Sequence, residues 1–187
     1  DKGFLRVISM QKNAASEGKN VGVMYAAESK LRMSERTYAE FTAIRIPASP
    51  QAQGQAVQKK LALLTKISNQ MTDIIKMDEG NMVIASLTRL GQCYEHLSQA
   101  LWKAPLPKDL TGKDLEAYKK GLDDVARPFE QKAIENYQNA VQKSYEIKFY
   151  NKWTKIATEA LGRYKIEKFA DTKEVAIPVV KVDDAGL

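Results

Sequence analysis

Apolar side chains return every third or fourth position over segment after segment of this chain. That rhythm constrains the fold more than any other feature. It gathers side chains on one face of a helix, whereas a half-buried strand alternates with a period of two. The most regular stripe is Val83, Leu87, Leu90, Tyr94, Leu97 and Leu101, with steps of four and three throughout. Met24, Ala27, Leu31, Ser34, Tyr38 and Phe41 form a second stripe over 21–46. Val57, Leu61, Leu64, Ile67, Met71 and Ile74 form a third over 51–76. Phe4, Val7 and Ile8 predict a shorter helix over 4–17.

Stop signals fall between the stripes. Glu17-Gly18-Lys19-Asn20, Pro47-Ala-Ser-Pro50 and Asp78-Glu-Gly-Asn81 each end a helix, through glycine's freedom or proline's missing donor. Ala104-Pro-Leu-Pro107 opens a loop to about Gly112, with Thr111 or a neighbour capping the next helix. Leu115, Tyr118, Leu122 and Val125 continue in helical spacing, and Pro128 then forces either a kink or a break. Phe129, Ala133, Tyr137, Ala140 and Tyr145 follow, and Tyr150, Trp153, Ala157, Leu161 and Tyr164 mark a last helix. Gly91 lies inside the best stripe, where glycine costs roughly 1 kcal/mol relative to alanine. The expected return is close approach of a neighbouring helix.

The predicted fold is therefore all-α. Consecutive helices with short turns pack as antiparallel hairpins, and one hairpin alone cannot bury its apolar face. Tetratricopeptide-like hairpins stacked as a short solenoid are expected over 1–170. From Asp171 the pattern changes to Glu-Val-Ala-Ile-Pro-Val-Val-Lys-Val. An extended tail is expected over 171–187, either mobile or docked as a strand or groove filler.

Composition excludes several classes. The net charge is +6, with 12 Lys/Arg against 8 Asp/Glu in residues 1–80 and 17 against 15 in 81–187. So mild and dispersed an excess suits solvated helix faces, not the concentrated basic face that binds nucleic acid. One cysteine, Cys93, leaves no internal disulfide. No apolar run approaches the ~20 residues that span a bilayer. The first residue is Asp1, so a leader or further repeats are expected to have been removed.

Two partial repeat signatures appear. Leu87, Leu90-Gly91 and Tyr94 match the first helix of a tetratricopeptide repeat, and Ala133, Tyr137 and Ala140 match its second. Four longer stretches extend the likeness: Ala85 to Gln92, Leu101 to Leu110, Tyr118 to Ala133, and Tyr150-Asn-Lys-Trp-Thr154. Together they resemble the C-terminal part of tetratricopeptide-repeat proteins of myxobacteria, Bdellovibrio and related predatory or gliding bacteria. In that family an Ala-Pro-x-Pro loop interrupts a repeat and a Tyr-Asn-x-Trp-Thr element opens the last helix. The resemblance covers about residues 37–164. It implies a helical-repeat protein of the cell envelope, periplasmic or held at the outer membrane, in some relatives associated with gliding motility. It carries no catalytic residues and no cofactor.

Chemistry-bearing residues favour the same reading. Cys93 and His96 are three apart on one helix, a spacing that supplies half a metal site, but the chain has no second Cys or His. A packed thiol beside a partly buried histidine is expected. No serine sits in a nucleophile elbow, and Gly112-Lys113 lacks the rest of a phosphate loop. Asp123-Asp124 and Asp183-Asp184 are expected on the surface. The aromatic second half is mainly core, with Trp102, Tyr118, Tyr150 and Trp153 as candidates for holding a partner. Trp102 lies off the apolar stripe beside the proline loop. The expected function is a non-enzymatic protein-interaction module or scaffold that holds a peptide or another envelope protein in a helical groove. The alternative is an oligomerisation or spacer segment, with homo-oligomers formed by the chain itself.

Overall fold

A computed structural model describes residues 1–164. It contains α1 (Lys2–Ser16), α2 (Val23–Ala43), α3 (Pro50–Ile75), α4 (Gly80–Trp102), α5 (Gly112–Glu146) and α6 (Lys152–Arg163), with no strand among the described residues. The extended tail expected over 171–187 lies outside them.

The breaks have local causes. Past the end of α1, the Lys19 amide reaches back to the Ala14 carbonyl at 2.9 Å across Gly18, whose φ of 74° suits glycine. Pro50 opens α3, where its missing N–H would have had no helical partner. The Glu79 carboxylate caps α4 by accepting from the Met82 amide at 2.9 Å. Thr111 stands at the N-cap of α5 but makes no side-chain capping bond. Asn151 and Thr154 form a reciprocal capping box at the start of α6.

Of the kink or break expected at Pro128, the break does not occur. α5 runs unbroken through it. The carbonyl that loses its helical donor belongs to Asp124, and both Asp124 and Pro128 are exposed, so water can replace the missing bond.

Neighbouring helices in the chain pack together, and α4 also touches α2 and α6. α2 and α4 run the same way, since Glu35 meets Arg89 and Phe41 meets His96. α4 and α6 also run the same way: Asn151 meets Asn81, and Arg163 meets Glu95. α3 and α5 run against them. One core joins Leu31, Phe41, Leu64, Ile67, Met71 and Ile74 to Leu90, Cys93 and Leu97 of α4. A second joins Ile84 of α4 to Tyr137, Val141, Ala157 and Leu161. Tyr94 and Trp153 pack against both, so α4 is the shared spine.

The expected close approach occurs at Gly91. A Cβ there would stand 2.6 Å from two carbons of the fully buried Tyr137 ring. Other positions on the expected stripes lie outside the core. Met24, Leu61, Val125 and Tyr145 are 42%, 36%, 52% and 63% exposed. In α3 the core position falls to Lys60, completely buried, instead of Leu61. α4 is buried on several faces, not one stripe, and Thr88, Arg89 and Glu95 are among its buried residues.

Candidate functional site

The parallel course of α2, α4 and α6 leaves a groove of about 690 Å³ between them, a size ligand clefts commonly have. Its apolar lining is Met24 and Leu31 from α2, Met82 from α4 and Trp153 from α6. Its polar lining is Glu28, Arg32 and Glu35 from α2, Asn81 and Arg89 from α4, and Asn151 and Lys152 at the start of α6. The α6 cap shapes one end. Asn151 Oδ1 accepts from the Trp153 and Thr154 amides at 2.8 and 3.0 Å, while its amide nitrogen donates to Asn81.

Arg89 ties the three helices together. Its Nη2 donates to Glu35 Oε1 at 2.6 Å, and its Nη1 donates to Gln92 Oε1 at 2.8 Å. Its Cζ lies 4.0 Å from the Tyr38 ring centroid and 5.0 Å from that of Trp153. Cation–π attraction and one ion pair therefore offset the desolvation of a cation only 9% exposed. Its Nε has no hydrogen-bond partner among the described residues. Arg32 pairs with Glu28 at 3.1 Å on the rim, where exposure leaves such a pair worth little.

A buried carboxylate sets how α6 docks. Glu95 accepts from the Tyr137 hydroxyl at 2.7 Å and from Arg163 Nη2 at 2.8 and 3.1 Å. Burial, then the bond to Glu95, hold the Tyr137 hydroxyl protonated far above the usual phenol range. The Thr88 hydroxyl adds a bond to the Trp153 carbonyl at 3.2 Å.

The Cys93–His96 neighbourhood is a packed interior. Cys93 is fully buried, and burial pushes its thiol up to about 12. The His96 ring lies 5.3 Å from that of Phe41, and burial, with Lys60 and Lys103 nearby, holds its pKa below the usual histidine value. Lys60 Nζ donates to the Phe41 carbonyl at 2.6 Å, in the last turn of α2 where a cation meets the helix dipole. Burial still lowers its pKa to about 8. Among the described residues no three His, Cys, Asp or Glu side chains gather to hold a metal ion.

The four aromatic candidates fall into two places. Trp153 forms a wall of the groove, and Tyr150, 62% exposed, immediately precedes Asn151 at its end. Trp102 and Tyr118 lie at the far end of α4, which is about 35 Å long. The Trp102 indole donates to Asp123 at 3.1 Å and borders a hollow of about 340 Å³ with Lys103, Leu106, Lys119 and Leu122. The Tyr118 hydroxyl donates to Gln53 Oε1 at 2.6 Å, and Gln53 donates in turn to the Pro105 carbonyl at 2.7 Å. Tyr118 thus fastens α5 to α3 and the proline loop. Asp123 also accepts from Arg127 at 2.6 Å, which holds its carboxyl below the usual carboxylate range.

Sequence reasoning missed Arg89, Glu35 and Asn151. The available signal was that Arg89 and Glu95 are the only two charged residues of α4. No family model, curated protein or solved structure matches this chain. Among the described residues no helix is long and apolar enough to cross a membrane.

Proposed function

We propose that this chain is a protein-binding module in which α2, α4 and α6 present a docking groove for an extended peptide or a protein surface. Its helical hairpins then act as tetratricopeptide-like repeats, and its partner is another protein of a bacterial envelope complex. One observation carries this reading: three parallel helices, cross-tied through Arg89, leave an open channel with apolar and charged walls. Apolar walls supply contact energy, and polar groups fix the orientation of what lies between them. A groove held by buried ties loses little conformational freedom on binding.

Site-specific photo-crosslinking tests this. A photoreactive side chain at Met24, on the groove, should capture a partner in cells of the source organism. One at the exposed Gln58 of α3 should not. Arg32→Glu, on the exposed rim, should reduce the Met24 product. Equal capture from both positions would overturn the reading. Cell fractionation tests the envelope setting, which fails if the protein is confined to the cytoplasm.

A second reading rests on a separate observation. Val7, Met10, Ala14, Val21 and Tyr25 line a hollow of about 360 Å³ between α1 and α2. α1 buries no residue completely, and Met10 and Tyr25 are 61% and 62% exposed. Such a face suits self-association. Light scattering decides: a dimer converted to monomer by Met10→Lys with Tyr25→Lys supports this reading, and a monomer at high concentration removes it.

A further inference from the structure

We propose that the turn between α5 and α6 is a docking surface for the headgroup region of an anionic lipid bilayer. This surface adjoins the groove, with Lys152 bordering both, but the proposal does not rest on the groove reading.

Tyr145, Ile147, Phe149 and Tyr150 are 63%, 38%, 46% and 62% exposed. Single exposed apolar residues are ordinary on a protein surface, but here four fall within six consecutive positions around one turn. The turn that carries them is ordered. Lys148 takes a left-handed φ of 53°, and the Phe149 amide donates to the Ser144 carbonyl at 3.0 Å. The Ser144 hydroxyl donates back to the Phe149 carbonyl. Ile147 braces the turn against the start of α4, where a Cβ on Gly80 would stand 2.7 Å from Ile147 Cδ1.

The charge around the patch is basic. Lys148, Lys152 and Lys155 are all exposed, and Lys143 lies 3.9 Å from Glu146, the acidic residue within the turn. Asp78 and Glu79, in the adjoining α3–α4 turn, bound the basic area, and Glu79 is engaged in capping α4. These residues sit around the turn that joins α5 to α6, at one end of a helical hairpin. Tyrosine and phenylalanine rings settle at headgroup depth, and lysines beside them are drawn to anionic lipids. An acidic protein surface would satisfy the lysines but would need a matching recess for the four apolar side chains.

Vesicle co-sedimentation tests the proposal. The probes are phosphatidylcholine vesicles with and without one third phosphatidylglycerol, at low and high salt. The protein should pellet with the anionic vesicles and be released by salt, since attraction fades beyond a Debye length. Lys148→Glu with Lys155→Glu should weaken binding by about tenfold or more. Tyr145→Ser with Phe149→Ser should weaken it at low salt too. Lys59→Glu with Lys66→Glu, on the exposed face of α3, should change it little, which separates a local site from general basic charge. These positions are exposed, so the variants should keep their helical circular dichroism. The proposal is overturned by failure to pellet with anionic vesicles, by equal binding to neutral ones, or by turn variants that bind as wild type does. It is equally overturned if turn variants lose only capture of an acidic protein.

Discussion

At Gly91 an added methyl group would meet the Tyr137 ring at 2.6 Å, and that ring is fully buried and bonded to Glu95. The ring has little room to retreat. Gly91→Ala gains helix propensity but overpacks the α4–α5 contact, and a net loss of about 1–2 kcal/mol is expected in urea unfolding. A neutral or stabilised variant would contradict the close approach. Lys60 gives a prediction in pH. Its folded pKa is about 8 against an ordinary value of 10.5. Below pH 8 both states hold the proton and the full desolvation penalty applies. As pH rises above 8 the folded state releases it first, so the unfolded state binds more protons and stability rises. The Cys93 thiol, held up at about 12, works the other way above its ordinary 9.0. Between pH 7.5 and 9 wild type should gain about 1 kcal/mol relative to Lys60→Met. Parallel stability curves for the two proteins would refute that assignment.

Among the elements, α6 is the short helix whose docking completes the groove. Its ties are Glu95 with Arg163, Asn151 with Asn81, and Thr88 with the Trp153 carbonyl. Asn151→Ala removes the α6 cap and the link to Asn81 together, for an expected loss of about 1–2 kcal/mol. The loss should fall locally, as faster amide hydrogen exchange in α6 with α2 and α3 little changed. Uniform acceleration across all six helices would mean that α6 is not a separately held element. Helix positions were legible in the sequence because periodicity and the Gly and Pro breaks act locally. The groove's buried arginine and the buried lysine of α3 were not, because hydropathy ranks Arg89 and Lys60 as surface residues. Their burial depends on Tyr38, Trp153 and Phe41, which come from other helices. At Pro128 the sequence left a kink or a break open for the complementary reason: the outcome depends on exposure, which spacing does not reveal.

For the whole molecule, α4 is the spine that both cores share, and the helices parallel to it on either side frame the channel. Gly91 was legible as a close contact at this scale, whereas the meeting of Glu35, Arg89 and Trp153 was not. Those three residues are brought together only by the packing of α2 and α6 against α4. The aromatic candidates divided for the same reason: Trp153 and Tyr150 lie at one end of α4 and Trp102 and Tyr118 at the other. Amide hydrogen exchange of the purified protein, alone and with the partner captured at Met24, tests the central claim most directly. The groove account predicts slower exchange in 24–35, 81–89 and 151–154, with the outer face of α3 unchanged. Protection confined to α1 or to the outer face of α3, with those three segments unaltered, would contradict it.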